Sequence, residues 1–196
     1  MKPYVCIIDL EATCWPDPAP GQHGSTAVDP VSEIIEIGAV IAEARNLVEI
    51  ASFSRVVRPK LNPILSDFCK ELTHISQVEV DEADGFVYVM AGFMDWITSV
   101  VAAYPQEQVV SLASWGLYDH CQLSQDCDLH SIKCHFSRDE HVNLKDVVAK
   151  KIGRKPRGLK RTLALLGLGF DGQQHRALPD ARNALAAARA ARIMEA

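Results

Sequence analysis

The chain has 196 residues, of which 48% are hydrophobic and 23% are charged, and its formal net charge is −5. This length and balance suit one globular domain that buries a core without disulfides or structural metal. The apolar run before Asp9 is too short for a signal peptide, and no uncharged apolar stretch reaches the roughly 18 residues of a membrane span. We therefore expect a single cytoplasmic domain over residues 1–196, with no membrane partner.

The amino-terminal segment predicts a strand followed by a loop. Tyr4–Leu10 is an apolar run of strand length, and the two-residue period of a strand places Asp9 and Glu11 on one face at its end. Pro16–Pro30 is rich in Pro and Gly, which predicts irregular structure. Because it follows the two acids so closely, it could be a lid over them, with a disordered surface segment as the alternative.

The next segments predict a hairpin and a buried helix. Ile34–Ala42 and Phe53–Arg58 read as two strands joined by a turn near Asn46. From Ala83 to Tyr104, apolar residues recur at helical spacing until Pro105 ends the pattern.

The carboxyl-terminal half predicts one more strand and three helices. Gln108–Ala113 is the strand, and Asp119 falls at the start of the helix that follows it. Leu159–Leu166 and Ala177–Met194 are the other two helices. Pro179 suits the first turn of the last helix. This order of elements indicates an α/β fold with a mixed central sheet flanked by helices.

Four carboxylates and one histidine stand out from this framework: Asp9, Glu11, Asp119, Asp180 and His175. Acids gathered from distant segments repel one another, so a fold that unites them needs cations, and carboxylate oxygens suit Mg²⁺ or Mn²⁺. Two such ions, roughly 3.5–4 Å apart, can clamp the attacking and leaving oxygens of a phosphodiester. A nearby histidine can take a proton from water. His175 must precede the last helix, because five helical residues would turn it away from Asp180. The set therefore predicts a nuclease.

Positive charge is concentrated in one segment. Residues 145–161 contain eight cations against Asp146 alone: Lys145, Lys150, Lys151, Arg154, Lys155, Arg157, Lys160 and Arg161. This local excess of +7 is typical of a surface that follows a phosphate backbone. A solvated loop between two helices is the alternative. Neutralising the four acids with metal would also change the net charge from −5 to −1.

Cysteine and histidine usage gives a weaker signal. Six cysteines fit a reducing compartment better than a disulfide framework. A Cys- and His-rich region could suggest zinc, but it has no C-x₂-C pair, and we do not assign a zinc site. Its members are His120, Cys121, Cys127, His130, Cys134 and His135.

Further motifs accompany the acids: Glu33–Val40, Phe68–Gln77, Asn143–Lys145 and Gly158–Lys160. Together with the three segments that carry Asp9 and Glu11, Asp119, and His175 and Asp180, they resemble the DEDDh family of 3′-to-5′ exonucleases. This family includes RNase T, oligoribonuclease and polymerase proofreading subunits. Within it they are most similar to the RNA-directed exonucleases of the enhanced-RNAi type. The resemblance runs from about Tyr4 to about Ala190. It implies an RNase H-like exonuclease fold and hydrolysis of a single-stranded 3′ end, RNA more than DNA, to 5′-mononucleotides.

The resemblance also implies a role for each acid. Asp9 bridges two Mg²⁺ or Mn²⁺ ions, Glu11 and Asp180 complete the first site, and Asp119 supports the second through water. His175 deprotonates the attacking water. Glu33 and Glu36 are not expected to be ligands; hydrogen bonding or solvent exposure at the strand start is the expected role of both.

Substrate contacts follow from the same motifs. The backbone around Ala12 and Thr13 is expected to hold the terminal 3′-hydroxyl, and aromatic or apolar side chains are expected to receive the last base. Lys145 is expected to contact the substrate as well. The candidates for the base are Phe68, Ile75 and Tyr118, with Trp15 and Trp115 as weaker ones. The sequence departs from the family at His74, where glycine is common, and at Gln173–Gln174, which replace a more basic pair.

Two other functions stay open at this point. One is a catalytically silent nucleic-acid-binding module, although all five site residues are present. The other is a DNA proofreading or repair exonuclease. Abolition of turnover by EDTA, with binding retained, separates an enzyme from a module.

Overall fold

The computed structural model describes residues 3–16, 31–103 and 110–192. In these ranges the chain forms five strands and seven α-helices. The strands are β1 Tyr4–Ala12, β2 Ile34–Glu43, β3 Glu49–Val56, β4 Val110–Ser114 and β5 Val142–Asn143. The helices are α1 Asp67–Thr73, α2 Gln77–Glu82, α3 Phe86–Ala102, α4 Tyr118–Leu129, α5 Leu144–Lys151, α6 Leu159–Leu165 and α7 Ala177–Ala190.

The five strands form one mixed sheet in the order β3-β2-β1-β4-β5. The pairs β1–β2 and β2–β3 are antiparallel, whereas β1–β4 and β4–β5 are parallel. The carboxyl ends of β1, β4 and β5 therefore meet at one edge of the sheet. Side chains placed just after parallel strands converge at such an edge, where α/β folds commonly bind ligands.

Each face of the sheet buries its own apolar cluster, because successive side chains of a strand point to opposite faces. Cys6, Ile8 and Leu10 of β1 pack with α3 and α4 on one face. Val5 and Ile7 pack with α5 and α7 on the other. A third, smaller cluster lies beneath α1 and α2. The parity of β1 thus places Asp9 and Glu11 on the face that α7 covers.

The predicted strands and long helices are present, with changed bounds. β3 spans Glu49–Val56 and not the expected Phe53–Arg58. It is an edge strand and only partly buried, so its first residues include polar ones that show no apolar run in the sequence. α3 begins at Phe86 and not at Ala83, because residues 83 and 85 are extended. α7 ends at Ala190, short of Met194, and residues 193–196 lie outside the described residues. Residues 17–30 of the expected loop Pro16–Pro30 and residues 104–109 also lie outside them.

Several short elements were not predicted from the sequence. α1 and α2 have 7 and 6 residues, too few to display a helical period. β5 has only 2 residues. α5 occupies residues 144–151, so the alternative of a loop for the whole basic segment is wrong for its first half. No helix in the described part of the chain is long and apolar enough to cross a membrane.

Candidate active site

The site is built on the end of β1, which supplies Asp9 and Glu11. Asp9 pairs with Gly38 of β2, and the register shifts after Glu11, where a bulge ends the regular ladder. Both acids are half-buried. Their positions at one edge and on one face agree with the alternation of the strand.

The amino terminus of α7 lies directly against β2 beside Asp9. A Cβ placed on Gly38 would lie 2.2 Å from the Ala177 carbonyl carbon and 2.2 Å from the Leu178 nitrogen. Only glycine therefore allows this approach. The Glu36 carboxylate accepts a hydrogen bond from the Ala177 amide at 2.8 Å and pairs with the Arg176 guanidinium at 2.8 Å.

The hydrogen-bonding role expected for Glu36 is confirmed. The alternative, solvent exposure, is wrong, because the Glu36 side chain is buried. A buried carboxylate requires such partners, and charge-assisted bonds are about twice as strong as neutral ones. Glu36 thus fixes the start of α7 against the sheet. Glu36 is therefore a positioning group. Its single charge within an apolar strand is the sequence signal that could have identified it.

This docking brings Asp180 to Asp9 and Glu11. One carboxylate oxygen from each of the three lies within 4.8 Å of the others, and they form the only such group of metal-ligating side chains in the described ranges. The Asp180 Oδ2 atom is buried without a hydrogen-bond partner. No lysine or arginine pairs with any of the three within those ranges. Clustered carboxylates with an unsatisfied buried oxygen fit a divalent cation.

Asp119 approaches the cluster from the other side. It lies in the first turn of α4, after β4, and its Oδ1 accepts a hydrogen bond from the Leu10 amide at 3.0 Å. Asp119 is not a member of the close group of three, although its charge acts on Asp9.

The electrostatics of the cluster oppose ionisation. Burial, followed by the charges of Asp119 and Asp180, raises the pKa of Asp9 well above its ordinary value. Burial and the Asp180 charge raise the pKa of Glu11 to about 8. Burial raises the pKa of Asp119 to about 6 and also raises that of Asp180. A bound cation would reverse this penalty by favouring the charged carboxylates.

His175 lies before α7, as the sequence predicts. Its backbone is left-handed, with φ of 57°, and its side chain is exposed. A cavity of about 550 Å³ is lined by His175 and Asp180 together with Lys160 and Phe170. The imidazole can therefore meet water without being a fourth member of the acid group.

The expected substrate contacts differ in exposure. Phe68 is 40% exposed and Tyr118 is 57% exposed, so both can meet a base. Ile75 is fully buried in the cluster beneath α1 and α2, so its side chain supports this wall from below and does not face a ligand. Ala12 and Thr13 are also buried. The Thr13 amide donates to the Glu33 carbonyl at 2.8 Å, and the Thr13 carbonyl accepts a hydrogen bond from the Ser32 hydroxyl at 2.7 Å.

Glu33 holds the wall that carries Phe68. Its buried carboxylate accepts backbone hydrogen bonds from Lys60, Leu61 and Asn62 at 2.6 to 2.9 Å. Its amide donates to the Thr13 hydroxyl at 2.9 Å. The expected hydrogen-bonding role is confirmed, and this carboxylate ties an irregular segment to the end of β1.

The two departures from the family have structural settings. His74 ends α1 in the left-handed conformation, with φ of 57°, which explains why glycine is common at this position. Gln174 accepts a hydrogen bond from the Lys160 ammonium at 2.9 Å.

Trp115 and Lys145, two other expected substrate contacts, lie beyond the ends of β4 and β5. Trp115 donates its indole N–H to the Arg157 carbonyl at 3.1 Å, and Lys145 is half-buried near the start of α5.

Comparisons with known proteins agree with this geometry. The RNase T family model, described as exonuclease, matches residues 6–188. The chain is 33% identical to human 3′-5′ exoribonuclease 1, over 92% of this chain and 50% of that protein. It is 31% identical to ERI1 exoribonuclease 2 of Xenopus laevis, over 92% of this chain and 27% of that protein. The chain thus spans between about a quarter and a half of the length of these relatives.

A solved structure shows the same fold. The nuclease domain of 3′hExo, a DEDDh family member bound to rAMP, superposes with a TM-score of 0.83 at 31% identity, covering 96% of this chain and 90% of that one. A second, on recognition of the histone mRNA stem-loop by a 3′-exonuclease, gives 0.82 at 30% identity, with 96% and 80% covered. The expected RNase H-like exonuclease fold with a mixed sheet is therefore confirmed.

Proposed function

The chain belongs to the RNase T family of exonucleases, and from this premise we propose that it is a metal-dependent 3′-to-5′ exonuclease that releases 5′-mononucleotides from RNA. The observation that carries the proposal is the meeting of Asp9, Glu11 and Asp180 within 4.8 Å. The proposal treats residues 1–196 as one exonuclease domain.

The acid cluster would hold two Mg²⁺ or Mn²⁺ ions. Asp9, Glu11 and Asp180 would be their nearest ligands, and Asp119 would support the site from its position in α4. When bound, the ions would stabilise the charge that develops on the phosphodiester and favour ionisation of water. The unpartnered Asp180 Oδ2 atom supports this ligand assignment.

The protein side chains would supply orientation and proton transfer. His175 would take the proton of the attacking water, and its exposed position at the cavity wall gives that water access. Glu36, through Arg176 and the Ala177 amide, would keep the preceding loop and α7 in register with Asp9. Such positioning matters because a misplacement of about 1 Å can lower a rate by about 10²-fold.

The 3′-terminal nucleotide would lie between the end of β1 and α1. The backbone around Ala12 and Thr13 would hold the terminal hydroxyl, and Phe68 and Tyr118 would stack on the base. Ile75 would support this pocket from within the core. Lys145 would contact a phosphate of the strand.

RNA is the proposed substrate because the relatives from Xenopus laevis and human described above are named exoribonucleases. The unpaired state of all six cysteines supports the cytoplasm as the compartment, since thiols stay reduced there.

The test is digestion of single-stranded RNA, single-stranded DNA and duplexes with 3′ overhangs, each labelled at the 5′ end, in Mg²⁺, Mn²⁺ or EDTA. We expect labelled RNA fragments that shorten from the 3′ end one nucleotide at a time, a reaction that EDTA abolishes. Asp9→Asn should lose nearly all of this activity and bind Mn²⁺ more weakly by calorimetry. Retained binding without turnover in Mg²⁺ and Mn²⁺ would instead indicate a silent module. Preference for DNA would indicate a proofreading or repair enzyme.

A further inference from the structure

The acid cluster has two distinct sides. Asp9 lies on β1, which has β2 on one flank and β4 on the other. His175 and Asp180 come from the β2 flank, because the start of α7 rests on Gly38. Asp119 comes from the opposite flank, because α4 follows β4.

This sidedness sets the direction of the substrate strand. In an in-line displacement, the attacking and leaving oxygens lie on opposite sides of the phosphorus. If His175 activates water on the β2 flank, the leaving 3′-oxygen faces the β4 flank. The strand upstream of the scissile phosphate is attached to that oxygen, so it must leave across β4 and β5.

Two cations belong to segments on that flank. β5 pairs in parallel with the end of β4, with Asn143 opposite Ser114, so Lys145 lies just beyond the same sheet edge. The indole N–H of Trp115, the residue after β4, binds the Arg157 carbonyl at 3.1 Å and draws the basic loop onto this edge. Neither Lys145 nor Arg157 forms an ion pair with any carboxylate in residues 3–16, 31–103 and 110–192.

Resting on the proposed exonuclease function, we propose that Lys145 and Arg157 bind the phosphates upstream of the scissile bond. Trp115 positions the loop that carries Arg157. The ligand is the single-stranded RNA substrate itself, whose negative backbone complements these two cations. Lys160 and Arg161 instead line the cavity at His175, on the side of the attacking water.

Substrates of different length test this directly. A dinucleotide contains only the scissile phosphate, whereas a decanucleotide adds the upstream ones. In the double variant Lys145→Gln/Arg157→Gln, we expect KM for the decanucleotide to rise about 10-fold, with the salt dependence of its log Kd less steep by about 1.4. KM for the dinucleotide should change by less than about 2-fold. Binding is measured by fluorescence anisotropy with both wild-type and variant chains carrying Asp9→Asn.

A matched control comes from the opposite end of the sheet. Arg45 lies in the turn after β2, Arg192 lies beyond the end of α7, and both are exposed cations. Arg45→Gln/Arg192→Gln should resemble wild type at every length. An equal rise in KM for dinucleotide and decanucleotide in the test variant overturns the inference. So does a length-dependent loss in Lys160→Gln/Arg161→Gln that the test variant lacks. A wild-type protein that leaves the decanucleotide intact in Mg²⁺ and Mn²⁺ refutes the proposed function itself.

Discussion

Replacement of Gly38 by alanine probes the contact between β2 and α7 with a single methyl group. The new Cβ would lie 2.2 Å from two backbone atoms of α7, and ordinary contacts begin at 3.4 Å. The start of α7 must therefore move by at least the difference, 1.2 Å. Because backbone and not a flexible side chain blocks the methyl group, relaxation is costly. We expect a destabilisation of about 3 kcal/mol, the upper end for overpacking.

The same movement carries Asp180 and His175 away from Asp9. A misplacement of about 1 Å lowers rates by about 10²-fold, so Gly38→Ala should lose about that factor in kcat on labelled RNA. Urea unfolding in EDTA measures the stability, and calorimetry with Mn²⁺ measures the metal site.

Gly92→Ala is the matched control. Gly92 lies inside α3, where an added Cβ meets nothing within 4 Å. Alanine there should stabilise the protein by about 0.5–1 kcal/mol through helix propensity and leave kcat unchanged. Wild-type stability and turnover in Gly38→Ala would refute the idea that this close approach positions the site.

Three further changes separate the roles of neighbouring groups. His175→Ala should lower kcat by about 10²–10⁴-fold while calorimetric Mn²⁺ affinity stays near wild type; parallel loss of affinity would make His175 a ligand. Glu36→Gln should cost about 3 kcal/mol in urea unfolding, because Arg176 loses its buried partner charge, and an unchanged midpoint would contradict this. For Glu11, the pKa is raised from 4.5 to about 8, so metal-free stability should fall as pH rises through this window, by at most about 5 kcal/mol. The melting temperature is followed against pH for wild type in EDTA, wild type in Mg²⁺ and Glu11→Gln in EDTA. The fall should be smaller in the last two samples. An equal dependence of Tm on pH in all three would show that Glu11 is not the group responsible.

The sequence predicted what local pattern encodes. The apolar run from Tyr4 located β1, and alternation put Asp9 and Glu11 together. Helical spacing located most of α3. It could not locate β5, since a strand of 2 residues exists only through its pairing with β4.

The local sequence pattern also could not predict contacts between distant residues. The bond between Glu36 and Arg176 joins residues 140 apart, and nothing near either one specifies the other. The same holds for the burial of Ile75, since its motif gave its position in the chain but not which way it faces. Asp119 was identified correctly as an acid at a helix start, but its separation from the close group of three depends on its bond to Leu10.

The Glu33 carboxylate has a consequence for how the nucleotide pocket behaves over time. It accepts hydrogen bonds from the amides of residues 60–62, so the backbone N–H groups of this irregular segment are bonded as they would be in a strand. Those amide hydrogens should exchange with deuterium as slowly as neighbouring strand amides, since exchange requires opening of a buried charged contact. The wall that bears Phe68 is then a preformed surface rather than an adaptable arm. Discrimination among 3′-terminal nucleotides should accordingly follow fit to a fixed shape, with little entropy lost on closing around each one.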